Sequence, residues 1–166
     1  GEMQISFDKE TGLIKSYSIG GKQYLKENSA KLVVFKDDED PWGMTGDAFN
    51  DVAGEFILLS KEQAAEFLGH PEADVKPFKV VEDGDVRTVV EGLYGYKKSF
   101  ACVKFYIPKS GTKIKTEVVL HMSEASKMIK LSFNTINGEF VGQTAFGTEI
   151  LPNEGKAAVF QKFSAI

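Results

Sequence analysis

Arginine is almost missing from this chain of 166 residues: Arg87 stands alone among twenty basic side chains. Lysine offers a point charge where arginine offers a planar fork, so most bidentate phosphate readers are excluded. The net charge of −4 and the scatter of acidic residues give no footprint for nucleic acid. One cysteine, Cys102, excludes an internal disulfide, and its apolar neighbours make it a small core side chain. No apolar run reaches the length of a transmembrane span, and no leader-like pair of basic and apolar segments opens the chain. No membrane partner is therefore expected. With two histidines, His70 and His121, there is little material for a metal site, which needs three or four converging ligands. No Gly-x-Ser-x-Gly elbow and no glycine loop opening a helix is present, which removes the usual serine nucleophile and phosphate cradle.

What the chain has is β-type sequence. Short apolar or alternating runs at 3–7, 13–19, 31–35, 54–59, 78–81, 86–94, 98–107, 113–121, 128–133, 140–145 and 157–163 are separated by turn residues. Gly20-Gly21 suits a two-residue hairpin that needs positive φ, and Asp83-Gly84 is a second hairpin signal. The strand pair after residue 86 is expected to turn near Gly95. Residues 60–69 break the pattern: Ser60 and Gln63 stand as a capping box, and Gly69 can close the C-terminal end. A short helix near 61–68 follows. The reading is one all-β domain over 1–166, an antiparallel β-sandwich whose inner faces take up many of the thirteen phenylalanines.

The most distinctive stretch is 37–49, DDEDPWGMTGDAF, a long acidic loop holding the only tryptophan. Carboxylates accept hydrogen bonds from hydroxyls and an indole face stacks on sugar C–H surfaces, so Asp40, Trp42 and Asp47 are substrate-cleft candidates. Glycoside hydrolysis needs two carboxylates set across a sugar, and the loop alone does not place them. Cys102 lacks an electropositive setting for nucleophilic catalysis. His121 and Glu117 share a strand face by alternation, a pairing that an epimerase could use as acid and base.

Several ordered segments resemble the C-terminal β-domain of family 38 glycoside hydrolases, the α-mannosidases, in their bacterial branch. They are residues 7–16 (Phe-Asp-Lys-Glu-Thr-Gly-Leu-Ile-Lys-Ser), Asp40-Pro41-Trp42-Gly43-Met44, and Val81 to Thr88. Lys127 to Phe133, Phe146-Gly147-Thr148-Glu149 and Gln161-Lys162-Phe163 complete the set. Phe163 and Met122 stand where the family usually carries tryptophan. The resemblance implies a galactose-mutarotase-like supersandwich cut from a longer glycoside hydrolase. It also implies a bacterial, cytoplasmic protein. In that family the nucleophile and the zinc ligands belong to a catalytic barrel that is not in these residues. No catalytic or metal residue carries over, no cofactor is expected in this chain, and zinc is expected in the missing barrel. The implied partners are that barrel and mannose-containing glycans, and the isolated chain is expected to be inactive. In this setting Trp42 reads as a structural anchor more than a stacking platform. Two other readings stand beside it: an autonomous carbohydrate-binding module, and a mutarotase-like epimerase using His121 and Glu117.

Overall fold

The structure, a computed structural model, describes residues 2–37, 51–152 and 157–166. Its elements run β1 (Met3–Phe7), β2 (Ile14–Ile19), β3 (Lys22–Leu25), β4 (Lys31–Lys36), β5 (Val52–Glu55), β6 (Ile57–Leu58) and α1 (Lys61–Phe67). They continue with β7 (Phe78–Asp83), β8 (Arg87–Tyr96), β9 (Ser99–Pro108), β10 (Lys115–His121) and β11 (Lys127–Ser132). The last are β12 (Val141–Thr144), β13 (Gly147–Ile150) and β14 (Ser164–Ala165). The described fold is all-β and sandwich-like. Its sheets are antiparallel: β1-β2-β3, β11-β4-β5, β13-β12-β14, and β10-β9-β8-β6 with β7 also on β8.

Local chemistry explains the turns. Gly20 and Gly21 take φ of 56° and 81°, the pair of positive values that lets two residues join β2 to β3. Asp8 holds the β1–β2 connection, its carboxylate accepting from the backbone N–H groups of Glu10 at 2.8 Å and Thr11 at 3.0 Å. Those two bonds, Thr11 first, keep its carboxyl below the usual aspartate value. Ser60 and Gln63 form the reciprocal capping box that opens α1. At the other end Gly69 is left-handed at φ 75°, its N–H reaching the Glu66 carbonyl while His70 N–H reaches Ala65. That pair of bonds closes the helix as a Schellman motif.

Three sheets put their apolar faces into one core. Ile14, Leu32, Val34 and Phe56 meet Val90, Tyr94, Val103 and Phe105, with Phe7 bridging from β1. The Phe7 ring lies 5.0 Å from Phe105 and 5.6 Å from Phe78, both tilted. Tyr94 is buried among them and its hydroxyl donates to the Gly12 carbonyl at 2.9 Å. Burial therefore drives its phenol upward, away from ionisation. Gly12 stands at φ 71° against that hydroxyl, so a Cβ there would be strained and would overlap the Tyr94 side chain.

Three expectations change in detail. The run 54–59 is not one strand. Phe56 breaks it, since β5 pairs with β4 and β6 pairs with β8, and the buried Phe56 ring fills the core at the crossing from one sheet to the other. Gly95 is not a turn either. It lies inside β8 opposite Ile57 and Phe100, where a Cβ would press on Leu59, and the turn falls at Lys97 and Lys98. Near the end of the chain, 157–163 is not a strand; β14, the two residues that follow it, pairs with β12, and β13 supplies the other edge.

Candidate functional site

The sequence candidates Asp40, Trp42 and Asp47 lie outside the described residues. Of the other candidates, His121 ends the edge strand β10, with Glu117 on the same face. Four residues of strand put about 13 Å between them. Glu117 is moreover engaged: Lys115 Nζ is 3.0 Å from it and the Tyr106 hydroxyl donates to it at 3.3 Å. Lys115 is the main cause of its lowered pKa. A carboxylate held in this way is a poor proton acceptor, and it is too distant to share one carbon centre with His121. His70 is exposed in the segment after α1.

The outer face of the five-stranded sheet explains the setting. Cross-strand register aligns Glu117 with Lys104 and Lys104 with Glu91, while Lys79 flanks Glu91 from β7. Lys104 lies 3.3 Å and Lys79 4.0 Å from the Glu91 carboxylate. Alternating signs across four strands make this a self-neutralised ladder. Next to it, Cys102 sits opposite Leu93 and Val119. Burial first, and the Glu91 charge second, push its thiol up to about 11. A thiol raised in this way holds little thiolate at neutral pH, which suits a packing group.

Towards the other end of the same face, α1 lies over the sheet. Ala64 on its inner side packs with the buried Leu59 and Leu93, and Phe67 stacks on Phe100 with ring centroids 4.8 Å apart and planes at 25°. The helix covers only part of the face. Beside it opens a cleft of about 810 Å³ between α1, β6, the β8–β9 turn and the end of β10. Its apolar surface is Ile57, Leu59, Phe67, Gly95 and Phe100. Its polar groups are Gln63 and Glu66 from α1, Lys97 and Lys98 from the turn, and His121 and Ser123. The His121 ring stands edge-on to Phe67 at 6.2 Å. Ser99, fully buried, accepts the Ser123 N–H at 2.9 Å and fixes the backbone just past β10.

A cleft with an aromatic wall and convergent polar groups is the usual form of a small-molecule site. It gathers residues from 57 to 123, and so had no local signal in the sequence. Of its residues the sequence marks His121 alone as a chemical candidate, and the carboxylate that lines the cleft with it is Glu66, not Glu117. Among the described residues no three Asp, Glu, His or Cys side chains gather as a metal site would need. The described residues therefore do not fit a zinc ion. No described helix is long and apolar enough to cross a membrane. Comparison of the chain with protein-family models, with curated proteins and with solved structures finds no match.

Proposed function

We propose that this chain is a non-catalytic β-sandwich domain of an α-mannosidase-like glycoside hydrolase of the bacterial cytoplasm, supporting a catalytic barrel outside these residues. The observation that carries this reading is the apolar surface of the C-terminal sheet. Phe146 and Val159 are almost wholly exposed, and Ile150, Phe160, Phe163 and Ile166 are each at least two-fifths exposed. Of these only Ile150 is in a strand, the others standing in the β12–β13 turn and in the segments on either side of β14. Solvent-facing apolar groups are individually ordinary, but their concentration in one short stretch of chain is what a neighbouring domain would bury. The segments that carry the family resemblance fit the reading as well. Residues 7–16 form the β1–β2 connection, Val81 to Thr88 the β7–β8 hairpin, and Lys127 to Phe133 the strand β11 with the residue after it.

In this reading the chemistry, including any zinc, belongs to the barrel. The direct test is to sequence the reading frame upstream. A barrel carrying Asp and His metal ligands supports the reading, and a frame that opens within a few codons of Met3 removes it. A second check uses the chain alone with an aryl α-mannoside, where no turnover is expected. Turnover that persists in chelator, in protein free of contaminating enzyme, overturns the non-catalytic assignment.

The cleft beside α1 favours a second reading, a carbohydrate-binding module. Its aromatic wall and hydroxyl-bonding groups suit a sugar ring, independently of the 37–49 loop.

A further inference from the structure

We infer that the cleft between α1 and the β8–β9–β10 face binds a small hydroxylated ring that carries an anionic group, a class that includes uronates and sugar phosphates. This inference rests on the cleft alone and not on the resemblance to α-mannosidases.

The volume of about 810 Å³ falls within the roughly 300–1,000 Å³ typical of small-molecule sites. Phe67 and Phe100 supply a flat wall, stacked at 4.8 Å and both only half-buried, so part of the aromatic surface remains open to a ligand. A pyranose presents C–H groups on one face and hydroxyls at its edge. The first matches the phenyl wall, and the second matches the exposed Gln63, Glu66 and His121 around it.

Charge selects among such rings. Lys97 and Lys98 stand side by side at the tip of the hairpin. Glu124 lies 4.0 Å from the Lys97 ammonium, but its other oxygen accepts the backbone N–H of Lys98. Among the described residues no carboxylate meets the Lys98 ammonium. An anionic substituent would therefore gain a charge-assisted contact there without first displacing a protein partner.

The backbone adds a second, independent sign. Lys97 takes φ of 51°, in the left-handed region where a tight hairpin ordinarily uses glycine or asparagine. A lysine there is conformationally unfavourable, and it places a cation on the rim of the cleft. Backbone strain at a non-glycine residue is found preferentially at functional positions. Stability and binding therefore separate at this residue: Lys97→Gly relaxes the turn while removing the cation.

The test is calorimetric titration of the full chain with glucuronate, glucose 6-phosphate and neutral glucose. Saturable binding of at least one anionic sugar is expected in the millimolar range or below, with glucose about tenfold weaker or worse. The tighter of the two anionic ligands identifies the carboxylate or the phosphate as the preferred group. Lys98→Ala should weaken the anionic sugar about tenfold and leave glucose unchanged. Lys97→Gly should weaken it several-fold while the thermal midpoint stays level or rises. Absence of saturable binding by both anionic sugars, equal binding of glucose, or unchanged affinity in both lysine variants overturns the proposal.

Discussion

The molecule contrasts a core built by three converging sheets with a C-terminal sheet that buries almost nothing. In the first, from β1 to β11, long-range packing fixes Phe105, Val34 and Val103 at 1 % exposure or less. In the second, the strands β12, β13 and β14 have one buried residue, Gly142. The main-chain bonds that bind this sheet together, such as Gln143 to Phe163 and Leu151 to Phe140, stay within residues 140–166. Both regions are antiparallel β-structure with apolar side chains, so propensity does not distinguish them. What differs is whether another apolar face is there to receive the side chains. The core has its partners within the described residues; the large apolar side chains in and around the C-terminal sheet stay largely exposed.

That contrast is broken most severely inside the core. Phe105→Ala removes the largest fully buried side chain, together with the contact that ties Phe7 and β1 to the main sheet. A loss of about 4 kcal/mol is expected, read from the midpoint of urea unfolding at constant slope. Gly12→Ala comes next. It places a Cβ at φ 71° against the Tyr94 hydroxyl, so both the turn and the buried hydrogen bond suffer, at about 3 kcal/mol. Tyr94→Phe is the sharpening control: if the overlap with the hydroxyl dominates, the double variant recovers part of what Gly12→Ala loses.

Acid should act on the same half of the molecule through its surface carboxylates. Asp8, Glu82, Asp83 and Glu117 are all held below their ordinary values, by backbone N–H groups at Asp8 and chiefly by Arg87, Lys109 and Lys115 respectively at the others. A folded-state pKa below the unfolded one means stability that is present above the ordinary values of 3.8 and 4.5 and lost as pH falls through the folded ones. The urea midpoint should therefore stay level from neutrality down to those values and decline below them. Asp83→Asn, which loses its contacts with Lys109 and Thr88, should make the decline shallower. An unchanged acid limb would show that these pairs are no stronger than exposed pairs usually are.

The elements that could be read from sequence are those whose cause is local. Ser60, Gln63 and Gly69 bound α1 by their own hydrogen bonds, and Gly20-Gly21 fixes its hairpin by its own φ values. Elements set by partners far along the chain could not be read. Phe56 ends β5 because the strands on either side pair with different sheets, and Gly95 continues β8 because Leu59 packs where its side chain would be. The cleft is the extreme case. Strand alternation correctly puts His121 and Glu117 on one face, yet the groups that share a space with His121 come from the helix and from a hairpin turn. Nothing in the spacing of Gln63, Glu66, Lys97 and Lys98 marks them as neighbours, because the sheet register and the seat of α1 bring them together.

The smallest expected effect is the most diagnostic for the C-terminal sheet. Phe146 is fully exposed, in the tight turn between β12 and β13. Replacing it by serine removes no buried contact within the chain, so unfolding stability should change by no more than about 0.5 kcal/mol. Solubility should rise if the sheet surface is adhesive in the isolated domain. The same substitution made together with a neighbouring catalytic barrel separates two meanings of exposure. An ordinary surface phenylalanine leaves the assembled protein as stable as the isolated domain leaves itself. A phenylalanine that a barrel covers becomes a core residue of the joint, and its loss then costs about as much as a half-buried aromatic contact, roughly 1–3 kcal/mol. Equal, negligible changes in both settings would place the domain interface elsewhere on the molecule and take away the observation on which the supporting role rests.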